Sequence, residues 1–94
     1  MTPEQAARVL AVAGAYDPRL TPPSREDALA RAVAWAEALH PTMAPEWATR
    51  AVAAHYAEST VAIMPAHLNA AWRAERRAEA EREAVRPVLD AAPG

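Results

Sequence analysis

Alanine supplies 27 of the 49 hydrophobic residues in this chain, leaving only 22 larger apolar side chains to build a core. A core that thin holds together only where backbones approach closely, which alanine-rich helices allow. With two glycines and no phenylalanine, the turn glycines and aromatic strands of a β-sandwich or barrel are missing. At 94 residues the chain is one small domain. The expected fold is therefore all-α: a small bundle of about four helices, the last of them long, charged and projecting.

Charge and cysteine content narrow the function classes. A formal net charge of −2 excludes an overall basic nucleic-acid binder. The absence of cysteine removes disulfides, thiolate metal sites and thiol nucleophiles. All ten basic residues are arginine; beside the alanine load, this reads as the codon usage of a GC-rich genome rather than phosphate recognition. Met1-Thr2-Pro3-Glu4 has no basic or apolar leader character, and no apolar run nears the roughly 18 residues of a membrane span. A soluble, cytoplasmic protein is expected.

Prolines and capping residues punctuate the chain. Thr2, Pro3 and Gln5 spell an N-cap, a first helical position and a capping box. They open a first helix over 3–14, with Gly14 as its stop. The prolines from Pro18 to Pro23 impose an extended connector, which Tyr16 and Leu20 pin to the core. Ser24 caps a second helix over 25–39, with Glu26 and Asp27 in its dipole-favoured first turn. Its expected core face is Leu29, Ala32, Val33, Ala36 and Leu39, with Trp35 beside it. A third helix starts around Thr42–Glu46 and presents Ala48, Ala51, Val52 and His55 or Tyr56 on one face before closing at Glu58-Ser59-Thr60. Val61-Ala62-Ile63-Met64 reads as a buried crossover. Pro65 opens a fourth helix over 65–86 that carries Leu68 and Trp72 and is broken by Pro87; Ala91–Gly94 should fray. The structural core is expected at Trp35, Leu39, Trp47, Val52, Tyr56, Ile63, Pro65 and Leu68. The helical body spans 1–72, and the charged arm and frayed tail span 73–94.

Catalytic signals are weak. His55 and Glu58 share a helical face at a spacing used in carboxylate metal bundles, but the other helices offer few inward carboxylates. His55 is expected at a core edge, with His40 and His67 at helix ends donating to backbone or solvent. Ser24, Ser59 and Thr60 sit in no nucleophile elbow. No catalytic residue, metal or cofactor is expected.

After Trp72 the apolar pattern gives way to Arg73-Ala74-Glu75-Arg76-Arg77-Ala78-Glu79-Ala80-Glu81-Arg82-Glu83-Ala84. This run has high helix propensity but no broad core-facing stripe. It reads as a solvated tail, as a partner-binding helix, or as a nucleic-acid contact through Arg73, Arg76 and Arg77. Glu79, Glu81 and Glu83 would repel phosphate, so direct nucleic-acid binding is expected to be weak or absent. Arg76–Glu79 and Arg77–Glu81 are favourably spaced pairs. Ala71, Ala74, Ala78 and Val85 form a narrow stripe suited to weak self-association, interrupted by Glu81. Trp72 sits where the helix leaves the body, as a lid on the core or an exposed anchor. The candidate partner-binding residues are Trp72, Arg73, Arg76, Arg77, Glu79 and Arg82.

Three segments carry a resemblance: Trp35-Ala36-Glu37-Ala38-Leu39, then Ala51-Val52-Ala53-Ala54-His55-Tyr56-Ala57-Glu58-Ser59-Thr60, then Ile63-Met64-Pro65-Ala66-His67-Leu68. In order and spacing they resemble a family of small phage replicative-helicase loaders and inhibitors, in versions associated with actinobacterial phages and prophages. The resemblance implies an all-helical body and a C-terminal arm. It also implies a non-catalytic adaptor that binds a hexameric DnaB-type replicative helicase, restrains or loads it, and meets an origin-binding replisome organiser. The arm matches no family motif, so no helicase-contacting residue is carried over. The alternatives are a small DNA-binding or regulatory protein with a helix-turn-helix-like pair in helices three and four, and a protein that binds another host factor.

Overall fold

The computed structural model describes the backbone of residues 1–91 and the side chains through Val88. It contains four α-helices: α1 (Pro3–Tyr16), α2 (Arg25–Ala38), α3 (Pro45–Glu58) and α4 (Pro65–Ala91), with a short 3-10 turn at Pro18–Leu20 between α1 and α2. No strand occurs among the described residues. Of the expected fraying over Ala91–Gly94, Ala91 is instead the last residue of α4, and Ala92–Gly94 lie outside the described residues.

The helix starts follow the local chemistry. Thr2 Oγ1 accepts the Gln5 N–H while Gln5 Oε1 accepts the Thr2 N–H, closing the capping box. Ser24 Oγ accepts the Asp27 N–H at 3.1 Å. The α3 N-cap is Ala44, without a side-chain cap. Two expected stops are corrected. Gly14 lies inside α1 without a positive φ, and the helix runs on to Tyr16. It ends because Pro18 disfavours helical dihedrals at the preceding residue, and Asp17 is extended (φ −136°, ψ 100°). Pro87 does not break α4, which continues to Ala91. A proline removes one backbone bond; on an exposed helix water can take the freed Glu83 carbonyl, and the preceding residues favour helix.

Helix α1 is the central element, presenting Ala6, Val9 and Ala13 to both α2 and α3. All three have zero exposure, and the two alanines let the backbones approach. Trp35, Leu39, Met43, Ala48, Val52, Ile63, Leu68 and Trp72 complete the core, and Ala32 is buried as well. Trp47 and Tyr56, expected inside, are half-buried against it, and Pro65 is half-buried at the start of α4.

The face of α2 is rotated from expectation. Leu29 and Val33 are exposed, while Ala32, Trp35 and Leu39 are buried. Residues two apart on a helix point in nearly opposite directions, so Val33 and Trp35 cannot share the core. Tryptophan has far more apolar area to bury and wins. The connector also differs: Tyr16 is exposed and stacks on Tyr56 with ring centroids 5.7 Å apart, while Leu20 is half-buried. In the α3–α4 crossover, Ile63 alone is fully buried, and Val61 and Met64 face solvent. An extended segment alternates its side chains, so it cannot bury all four.

Trp72 is the last buried residue of α4 among those described. Beyond it the helix keeps going, and residues 80–88 are exposed throughout. The molecule measures 63 × 26 × 17 Å, with a radius of gyration of 16.8 Å, against about 12 Å for a compact domain of this length.

Candidate functional site

The first two turns of α4 hold the arm to the body. Leu68 and Trp72 fill the core, and the indole of Trp47 meets that of Trp72 edge-on, with centroids 5.0 Å apart and planes at 81°. Trp47 Nε1–H donates to the Glu75 carboxylate, tying α3 to α4. On the other flank Asn69 clamps the end of α2. Its Oδ1 accepts the His40 backbone N–H and its Nδ2 donates to the Ala38 carbonyl, both at 2.9 Å. The Ala38 carbonyl is one of the acceptors that a helix C-terminus leaves unpaired and the His40 N–H lies just past the cap, so Asn69 acts as a C-cap supplied from another element.

A second clamp fixes the crossover leading into α4. Asp17 is 4% exposed. Its carboxylate accepts Arg19 Nε and Nη2 at 2.9 Å and the Tyr56 hydroxyl at 2.8 Å. Tyr56 Oη in turn accepts the Ile63 backbone N–H at 3.0 Å, and Arg19 Nη2 also donates to the Thr60 carbonyl. The Arg19 guanidinium, assisted by the Tyr56 hydroxyl against the cost of burial, holds the Asp17 carboxyl well below the ordinary carboxylate range. Burial raises Tyr56. The network joins the end of α1, the 3-10 turn, α3 and the crossover, and among the described residues no buried side-chain polar atom lacks a partner.

The histidines close local structure. His67 Nδ1 accepts the Met64 N–H at 2.8 Å, and His40 Nδ1 accepts the Thr42 N–H at 3.3 Å. Both rings therefore receive hydrogen bonds through Nδ1, where donation was expected. His55 Nε2 lies 2.7 Å from the Val61 carbonyl, which spends that nitrogen as a donor. Among the described residues no group of three metal-ligating side chains converges. Ser24 is a helix cap, and Ser59 Oγ accepts the Val61 N–H.

The candidate partner-binding residues divide. Trp72 is 8% exposed, which corrects its reading as an exposed anchor: Trp47 covers one side and Arg76 another. The Arg76 guanidinium stacks over the Trp72 ring, 4.4 Å from the centroid, and pairs with Glu79 at 3.0 Å. Arg77 and Glu81 form no ion pair among those found in the described residues, unlike Arg76 and Glu79. Arg73, Arg76 and Arg77 come together with His40, Thr42 and Trp72 around a surface groove of about 450 Å³. Glu79 contributes through its pair with Arg76. Arg82 is exposed and lies about 14 Å along the helix from Arg73, outside the groove.

His40 and Thr42 reach this groove from the α2–α3 linker, and sequence reasoning did not place them there. Nor did it find Asp17 or Asn69. Asp17 had a faint signal, an acid immediately before a helix-blocking Pro18. Asn69 had none beyond being polar one residue from Leu68.

No family model, curated protein or solved structure matches this chain.

Proposed function

We propose that this protein acts by binding, as a non-catalytic adaptor in phage DNA replication whose arm docks on a hexameric replicative helicase and restrains or loads it. The observation that carries this reading is the distal arm. Residues 80–88 are helical and exposed on every side, so the chain maintains a surface that its own body does not use. A docking segment that is already helical loses less conformational freedom on binding than an unfolded one. The resemblance to phage helicase loaders and inhibitors adds the partner class. Its three segments fall on the end of α2, on α3 and on the crossover into α4, the elements that aim the arm.

Co-purification with candidate hexameric helicases tests the proposal. The full chain should capture a helicase, and a chain ending at Arg77 should lose capture while keeping its melting temperature, because the buried set ends at Trp72. Undiminished capture by the shortened chain would refute the arm's role. Failure of the full chain to capture any helicase, with tight and steeply salt-dependent duplex binding, would favour the small DNA-binding reading.

A further inference from the structure

We infer that the groove at the base of the arm is a receptor for a short acidic peptide segment, supplied by the protein partner. This rests on the adaptor reading for the origin of the segment, but the groove's own chemistry carries the choice of ligand. Three arginines, Arg73, Arg76 and Arg77, line a depression of about 450 Å³ with His40, Thr42 and Trp72. Arg76 is committed: it stacks on Trp72 and is paired with Glu79. Arg73 and Arg77 are exposed and form no ion pair among the described residues. They are four residues apart on one helix, the spacing at which like charges repel, and an anion between them relieves that repulsion. Their planar forks match carboxylates bidentately. His40 takes the Thr42 N–H on Nδ1, which leaves Nε2–H as the donor of the ring.

The length of the basic surface selects a peptide over a nucleic acid. Arg73 and Arg77 are one helical turn apart, about 6 Å along the axis. Past them the same flank carries Ala80 and Ala84, with Glu79, Glu81 and Glu83 close by. A polynucleotide continues its phosphates at regular spacing and would run into those acids. Two neighbouring carboxylates on a peptide end where the arginines end. The acid Glu75 is held by Trp47 and lies 3.8 Å from the already committed Arg76; among the described residues it pairs with neither Arg73 nor Arg77.

The test uses the full chain labelled with nitrogen-15 and three probes: a short peptide of alternating Asp and Ala, its Asn–Ala counterpart, and a single-stranded oligothymidylate. The acidic peptide should produce saturable shifts in the Trp72 indole N–H and the Nε–H signals of Arg73 and Arg77, with the Trp35 indole unmoved. The Asn–Ala peptide should produce none, and the oligothymidylate should bind more weakly. Arg73→Ala and Arg77→Ala should each weaken peptide binding by about two- to five-fold, the upper part of the range for exposed charge pairs. Both variants should melt with the parent, since neither side chain holds an ion pair among the described residues. Absence of saturable binding, binding indifferent to both substitutions, or tighter binding of the oligothymidylate would each overturn the inference. Helicase capture separates the two readings: capture without peptide binding refutes the groove while sparing the adaptor, and peptide binding without capture does the reverse.

Discussion

Replacing Ile63 with alanine tests how the arm is attached. Ile63 has zero exposure, whereas its neighbours Val61 and Met64 are 56% and 53% exposed. Truncating a buried isoleucine to alanine costs about 2–5 kcal/mol, the larger values applying where surroundings cannot collapse into the space. Here the Ile63 backbone is held by the Tyr56 hydroxyl at 3.0 Å, and Tyr56 is held by Asp17. The crossover cannot slide inward, which places the cost at about 3–4 kcal/mol. A chain of this size is stable by about 5–14 kcal/mol. With an unfolding entropy of about 2 cal/mol/K per residue, a loss of 3 kcal/mol lowers the melting temperature by about 16 °C. Val61→Ala and Met64→Ala should change stability by no more than about 0.5 kcal/mol. Thermal melts followed by circular dichroism read all three variants. Equal melting temperatures for Ile63→Ala and Val61→Ala would refute the alternating burial of the crossover and the anchoring of α4 through it.

Two further outcomes follow from the clamps. The folded-state pKa of Asp17 is depressed, so the stabilisation it provides is complete above the free carboxylate value of about 3.9 and is lost as pH falls from there toward the folded value. Asp17→Asn should therefore be less stable than the parent at neutral pH, with the gap closing below about pH 4; urea midpoints across that interval measure it, and a constant gap would count against the ion pair. Asn69→Ala strips partners from the His40 N–H and the Ala38 carbonyl and should cost about 1–3 kcal/mol. Faster amide exchange at His40 should accompany that loss, and exchange unchanged from the parent would show that the cap is dispensable.

What could be read from the sequence was whatever one or two turns of chain decide. The capping box at Thr2 and Gln5, the Ser24 cap, the proline starts of α3 and α4 and the helical character of the arm all rest on neighbours within about four residues. Those interactions form wherever the segment finds itself, which is why the all-α architecture was legible in composition and punctuation alone. Ile63, Leu68, Val52 and Trp35 were legible as core because each is a large apolar residue in a chain that has few. The rotation of α2 was not. Leu29 and Val33 against Trp35 is a competition for one buried surface, and its outcome depends on how much area α1 and α4 offer each side chain. The Asp17 network contains direct hydrogen bonds between residues up to 41 positions apart, and the groove brings His40 against Trp72 across more than thirty residues. No local rule pairs such residues, because their proximity is set by helix packing, after the helices exist. The sequence by itself determined the helices, their starts and the charge of the arm. Only the tertiary structure decided which arginines stand together without carboxylate partners among the described residues, since that depends on where Trp47 draws Glu75 and Arg76 draws Glu79.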